Sequence, residues 1–466
     1  MTYSKIAVIG GGPSGLAVAK ALALEPVDFE TIDLFERRDD VGGVWYFGGN
    51  KSNLTPLIPS LTPNSFDYDE NTNVNDTFTS PMYKYLETNI PGKIMEYEDL
   101  HFSDDLPSFP SRDDVFDYIK YYSKSIPSGK VNWHFNSNIV SLTKINPTTW
   151  EIVGKSTIAP YNQFIKTYDA VVIANGHFGI PFIPDVKGLS HWNLQEPGSI
   201  THAKYYNDPQ PFKDKTVLII GNFASGQDIS VQLLVNAKQI YVSIKDVEDS
   251  ASQLTDTNDL IKYIGLVEEY NYDSNRSVKT VDNQIIENID VVIFCTGYLY
   301  SIPFLKSYPD LITDGNQIHQ VYKQTFYIPD PSLSLPGLSK NVIPMPIAES
   351  EGAIIARYYS GRWKLPSQED MQVEYEAEIK ERGTGKAFHS LPYPVDVAFY
   401  KSLQKIIDDN KLGDEGLIAP IWHDSRTQLR AECSPLKKER VKIAVEHALK
   451  LREQGEATFS LPDATL

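Results

Sequence analysis

The glycines at positions 10, 12 and 15 carry the first chemistry that this 466-residue chain offers. They stand between Lys5-Ile6-Ala7-Val8-Ile9, a β-branched run with the pattern of a buried parallel strand, and an Ala- and Leu-rich stretch from Leu16 to Leu24 that reads as a helix. In that place Gly10 permits a tight turn, Gly12 lets the backbone approach a pyrophosphate, and Gly15 lets helix and strand pack closely. Pro13 and Ser14, inside the turn, belong to the same candidate site. The helix N-terminus then presents N–H groups and a positive dipole end to the phosphates. Glu36 ends the next strand, 21 residues after Gly15. A carboxylate there can accept hydrogen bonds from a ribose.

The same order of parts returns near residue 216. The strand Thr216-Val217-Leu218-Ile219-Ile220 runs into Gly221-Asn222-Phe223-Ala224-Ser225-Gly226, followed by a helical stretch to Val235 and the strand Gln239 to Ile244. The outer glycines, Gly221 and Gly226, are kept, but Phe223 stands at the middle one, where a side chain obstructs close approach of a ligand to the backbone. Lys245 follows Gly226 by nineteen residues, at the position matching Glu36. A cation there attracts a 2′-phosphate that a carboxylate would repel, which points to NADP(H) over NAD(H). An ordinary surface lysine on a degenerate unit is the other reading. Two nucleotide units with different ribose selectors describe a flavin enzyme fed by NADPH. The fold expected is α/β, with two dinucleotide-binding, Rossmann-like domains. The NADPH domain, residues 205–295, is inserted into an FAD domain made of 1–204 and 296–466.

Further blocks make a family resemblance specific. Gly42-Gly43-Val44-Trp45 follows Glu36, and Tyr83-x-x-Leu86-x-Thr88-Asn89-x-Pro91 leads on to Met95-x-Tyr97 and Asp105-Leu106-Pro107-Ser108-Phe109. Gly198-x-x-x-His202-x-x-x-Tyr206 matches a linker fingerprint apart from Glu196 in place of a leading Phe, and Asn175-Gly176-His177 and Thr296-Gly297-Tyr298 look like strand-end turns joining the domains. From about residue 5 to residue 365 the chain resembles the flavin-containing monooxygenases, and in length and single-chain form the yeast members. The resemblance implies FAD and NADPH (NADP+) as cofactors. It also implies oxygenation of soft nucleophiles, small thiols and also amines, through a flavin 4a-hydroperoxide formed with O2. By the same resemblance Asn89 lies beside the reactive edge of the flavin and is the candidate catalytic residue. Gly43, Val44, Trp45, Thr88 and Val140 then join the flavin site, and Ser225 and Gln227 the NADPH site. His202 reads as an NADP+ anchor, as a linker between domains, or as a hydrogen-bonded structural residue. Trp45 reads as a neighbour of the flavin or as a core aromatic.

Composition narrows the alternatives. The 61 Asp and Glu outnumber 43 Lys and Arg, a net charge of −18 that argues against nucleic acid as a partner. The 2 cysteines, Cys295 and Cys433, lie far apart with no CxxC, so neither a disulfide scaffold nor a flavin-linked dithiol is expected. Cys295 reads as a buried small hydrophobe at a strand end. The 9 histidines form no ligand cluster, and no metal is expected. No apolar run is long enough for a transmembrane segment and no signal peptide is seen, so the expected place is cytoplasmic, with peripheral attachment at the cytosolic face of the endoplasmic reticulum left open. A homodimer is also left open. Sequons at Asn53, Asn75 and Asn275 read as chance, and residues 50–81 as a long loop. Near the C-terminus, Val441, Ala444, Val445 and Ala448 keep helical spacing beside Lys437, Lys438 and Arg440, either packed on the protein or laid on a membrane. The other functions weighed are an N-hydroxylating or Baeyer–Villiger monooxygenase and a non-oxygenating flavin redox sensor.

Overall fold

The computed structural model of the protein describes residues 3–48, 56–63, 78–248 and 253–463. The first unit opens with β1 (Lys5–Ile9), α1 (Pro13–Ala23) and β2 (Thr31–Phe35), and continues through α2 (Arg112–Ser123), β3 (Asn132–His134) and β4 (Ala170–Ile173). The second contains β5 (Ile200–His202), β6 (Thr216–Ile220), α3 (Ala224–Leu233), β7 (Gln239–Ser243), β8 (Ile261–Ile264) and β9 (Val291–Phe294). The chain then returns to the first unit through β10 (Leu333–Ser334) and α4 (Pro344–Tyr359), and α5 (Asp424–Glu453) is its last helix.

Both sheets are doubly wound. In the first, parallel strands run β3-β2-β1-β4-β10, with two short antiparallel strands beyond β10. In the second, the order β8-β7-β6-β9-β5 is parallel throughout. The central strands are apolar without alternation because helices and loops cover both faces; Ile6, Val8, Val217 and Ile219 are all fully buried. In each sheet the strand feeding a glycine turn, β1 or β6, has neighbours that leave in opposite directions. That is the switch point at which α/β sheets open a crevice for a ligand. The second unit is thus inserted between β4 and β10 of the first.

The second unit reaches further upstream than residue 205. Strand β5 is its edge, and Ile183, Leu189, Trp192 and Ile200 pack in one core with Leu218 and Val292. The two crossings between units lie side by side, because Ile180–Pro181 pairs antiparallel with Tyr298–Leu299. Helix α5 spans both cores: Cys433 is buried in the first, while Val445 and Ala448 are buried in the second. Its apolar face is therefore covered by protein. No helix among the described residues is long and apolar enough to cross a membrane. Residues 50–55 and 64–77 of the long loop, with Asn53 and Asn75, lie outside the described residues.

Helix α4 backs directly onto α1, where a Cβ on Gly352 would come within 3.0 Å of the Ala17 backbone. It carries two buried acids. Glu349 accepts from the Tyr122 hydroxyl at 2.7 Å and the Glu98 N–H at 2.8 Å. Glu351 accepts from the Gly337 N–H at 2.7 Å, and its second oxygen has no partner among the described residues. Burial pushes Glu351 up to about 8 from its ordinary 4.5. Within that window the unfolded chain releases a proton that the fold retains, so stability falls as pH rises from 4.5 towards about 8. Glu351→Gln, neutral at every pH, should flatten this decline; thermal melts across the same window check it, and an unchanged slope rules the assignment out.

Candidate active site

Backbone contacts dictate the first glycine turn. Gly10 sits at φ +114°, and a Cβ there would overlap the Ala174 carbonyl; a Cβ on Gly15 would overlap the carbonyl of Gly10. Gly12 meets a second glycine turn, with a would-be Cβ 3.2 Å from Gly43 Cα, and the Gly42 N–H donates to the Gly11 carbonyl at 2.9 Å. Helix α1 starts at Pro13 with no side-chain cap, so its first-turn N–H groups remain open to an anion. The buried Glu36 carboxylate accepts from Gly11 N–H at 2.7 Å and Arg38 N–H at 2.9 Å, one bond per oxygen. Each oxygen keeps acceptor capacity for a ribose hydroxyl. This cradle fits the diphosphate and ribose of a dinucleotide such as FAD.

Around it, Gly43, Val44 and Trp45 form a short 3₁₀ turn, with Trp45 buried in the first core. The Arg38 guanidinium donates to the carbonyls of Gly43 and Phe78, and burial beside Arg37 lowers it to about 10. Val140 is exposed at a bulge between Ile139 and Ser141, on a strand whose first residue donates from Ser137 N–H to the Glu36 carbonyl.

The second turn repeats the backbone geometry. Gly221 lies at φ +99°, a Cβ on Gly226 would overlap the Gly221 carbonyl, and α3 also begins without a side-chain cap. Phe223 holds φ −83°, ψ −170°, extended backbone open to any residue, and is 74% exposed. Its position needs no glycine for conformational reasons. Ser225 and Gln227 are on the first turn of α3, and Lys245 is exposed two residues beyond β7. Cys295, expected to be buried, is half-buried beside this turn, and burial still pushes its thiol up to about 12.

His202 is fully buried. Its Nδ1 accepts from Lys204 N–H at 3.1 Å, capping the turn that follows, and its Nε2 donates to the Gly297 carbonyl at 3.1 Å on the returning crossing, so both ring nitrogens are engaged. Burial pulls it down to about 3, and the ring is neutral. This geometry fits the linker reading and leaves no ring nitrogen for a nucleotide.

Thr88 and Asn89 stand on a segment that packs against both cores. Tyr83 is buried in the second, and Leu86 touches both. Thr88 N–H donates to the Pro110 carbonyl at 3.0 Å, Thr88 is buried, and Asn89 is exposed. Sequence reasoning missed what holds this segment: Glu87, Asp228, and the far-off Lys437 and Arg440. Burial pushes Asp228, which accepts from the Tyr83 hydroxyl, up to about 6.

Residues 65–257 and 264–401 match the flavin-binding monooxygenase-like family model, and residues 8–78 match an NAD(P)-binding Rossmann-like domain. The chain belongs to the flavin-binding monooxygenase-like family. It is 30% identical to the thiol-specific monooxygenase of Saccharomyces cerevisiae, covering 98% of both chains. It is 31% identical to the flavin-containing monooxygenase FMO GS-OX-like 4 of Arabidopsis thaliana over 79% of each. Among solved structures, S-allyl-L-cysteine S-oxygenase from Allium sativum superposes with a TM-score of 0.77 at 25% identity, covering 97% of this chain and 99% of that one. The protein is a flavin-containing monooxygenase with FAD and NADPH as cofactors. Because the Gly10 carbonyl fills the space of a side chain at residue 15, Gly15→Ala should cost about 1–3 kcal/mol of stability and strip most bound flavin. FAD absorbance per purified chain checks this, and full loading would show that the turn can yield.

Proposed function

We propose that the protein oxygenates small thiols, and more widely soft sulfur and nitrogen nucleophiles, with NADPH as reductant and dioxygen as co-substrate. The observation that carries this reading is the Thr88–Asn89 segment, which packs against the cores of both nucleotide units and keeps Asn89 exposed. The thiol preference is supported by identity over nearly the full length to a thiol-specific monooxygenase.

In this reading the turn Gly10–Gly15 and the N-terminus of α1 hold the FAD diphosphate, and Glu36 holds its ribose. Gly43, Val44, Trp45, Thr88 and Val140 line the remainder. Gly221, Ser225, Gly226 and Gln227 seat the NADPH diphosphate at α3, and Lys245 neutralises the 2′-phosphate. FAD is held by the first unit and NADPH by the second, which takes in strand β5 and the residues from Ile183 onwards. Bound flavin, once reduced by NADPH, supplies the activation of dioxygen and the transfer of one oxygen atom. The chain's share is to orient the two nucleotides, to offer the Asn89 amide as a donor at the reacting edge, and to keep water out. No cysteine pair adjoins either turn: Cys433 is in the first core and Cys295 in the second unit. Oxidising equivalents therefore reach the substrate without a protein dithiol.

Two substitutions test this. Asn89→Ala should retain FAD yet lower thiol oxygenation roughly 100-fold, as loss of one preorganised donor does; unchanged steady-state turnover with cysteamine would remove Asn89 from the reaction. Lys245→Glu should raise the KM for NADPH at least about tenfold, equivalent to about 1.4 kcal/mol, with little change for NADH. Equal effects on the two nucleotides would mean that Lys245 does not read the 2′-phosphate.

A further inference from the structure

Two cations one turn apart on α5 converge on one buried carboxylate, Glu87, two residues before Asn89. Lys437 Nζ lies 2.9 Å from Glu87 Oε1 and 3.0 Å from the Thr88 carbonyl. Arg440 donates from Nε at 3.0 Å and Nη2 at 2.9 Å to Glu87 Oε2, and Nη2 also reaches the Pro462 carbonyl at 3.0 Å. The Glu87 and Arg440 side chains are 5% and 3% exposed. The start of the same segment is held by the other unit. Tyr83 donates its hydroxyl to Asp228 on α3, and Gln232 Nε2 donates to the Tyr85 carbonyl at 3.2 Å. Helix α5 in turn rests on α3 through Val445 and Ala448, and Arg452 donates to the carbonyls of Leu234 and Ala237 at 2.9 and 2.8 Å.

A buried ion pair is a poor source of stability, since desolvation offsets most of the attraction; what it supplies is geometry. The two-pronged contact of Arg440 fixes the direction of the Glu87 carboxylate. Lys437 ties that carboxylate to the very peptide that precedes Asn89.

We propose that Glu87, Lys437 and Arg440 are positioning residues that set where the Asn89 amide stands relative to the bound nucleotides. Helix α5, which lies beyond the residue 401 limit of the family match, is thereby part of the oxygenating machinery. The proposal rests on the role given to Asn89 above. With the amide in place, NADPH, H+, O2 and a thiol RSH yield NADP+, RSOH and water. With the amide displaced, the same two electrons leave as hydrogen peroxide: NADPH, H+ and O2 yield NADP+ and H2O2.

The experiment compares FAD-loaded wild type, Asn89→Ala, Glu87→Gln, Lys437→Met and Lys437→Arg. Hydrogen peroxide per NADPH, the KM for NADPH, and hydrogen exchange of peptides covering residues 83–91 and 10–23 are measured for each. Lys437→Met and Glu87→Gln should lower coupled turnover about tenfold, an orientation effect, with the KM for NADPH nearly unchanged. Exchange over residues 83–91 should rise about fivefold and stay constant over 10–23. Lys437→Arg should restore both. Lys437→Met leaves the Arg440 contact intact, so it decides the matter should Glu87→Gln fail to fold. If Asn89→Ala uncouples the enzyme while Lys437→Met leaves coupling and exchange unchanged, the clamp is overturned and the role of Asn89 stands. If exchange rises in Lys437→Met but neither variant changes coupling, the role of Asn89 falls and the proposal with it.

Discussion

At the head of each nucleotide unit a backbone carbonyl occupies the space of a side chain. The carbonyl of Gly10 stands where a Cβ on residue 15 would be, and that of Gly221 where a Cβ on residue 226 would be. Glycine at those positions draws the first turn of the helix against the strand end. The helix N-terminus then opens on the crevice with no side chain to cap it, which leaves several N–H donors aimed at one place. A diphosphate bound there is held by oriented dipoles a few ångströms away. The chain's charge of −18 is a sum over 466 residues, and charges more than about 10 Å away are screened by solvent and salt, so it does not prevent the binding of two polyanionic nucleotides.

Given two such turns, the remaining requirement is that they keep a fixed relation, and the devices for this lie at the crossings. The ribbon of Ile180–Pro181 with Tyr298–Leu299 ties the outgoing and returning chain together. His202, at the end of strand β5, holds the returning crossing through Gly297, and its burial keeps the imidazole neutral so that one nitrogen accepts while the other donates. Lys204, just beyond, donates to the Gly179 carbonyl, and burial beside Arg37 and Arg38 lowers it to about 7. These contacts are polar because the crossings are loops, and loop backbone entering the interior needs partners for its N–H and C=O groups.

What was legible in the sequence is what is local. A glycine turn, its strand and its helix fall within about twenty residues, and the ribose-selecting position follows about twenty residues on, so the two nucleotide units are readable from spacing, while the flavin is what the family resemblance implies. Strand β5 is not legible there, since Ile200–His202 is three residues long, too short to show a strand period. Phe223 reads as obstructive because a side chain at the middle glycine of the motif stands in the way of a ligand approaching the backbone. Here the backbone is extended, and the ring points largely into solvent. The basic face of α5 was visible as a pattern, but periodicity says which residues share a face and nothing of what covers it. Glu87 is one of 61 acidic residues, and its partners lie 350 and 353 positions away. No spacing rule reaches so far.

The choice of charges at that distant contact has a physical reason. An apolar patch between α5 and residues 83–89 would bury as much surface, but packing of that kind is indifferent to small sliding and rotation. The segment also brings a carbonyl, that of Thr88, which must find a donor once buried. Lys437 meets that need and the Glu87 carboxylate together. Two cations on one carboxylate would leave a surplus positive charge in the interior. Asp228, on α3, supplies the second negative charge, and its attraction to Lys437 partly counters the burial that raises it to about 6. One carboxylate comes from the nucleotide helix and the other from the loop that ends in Asn89, so helix α5 holds cations facing acids on both elements.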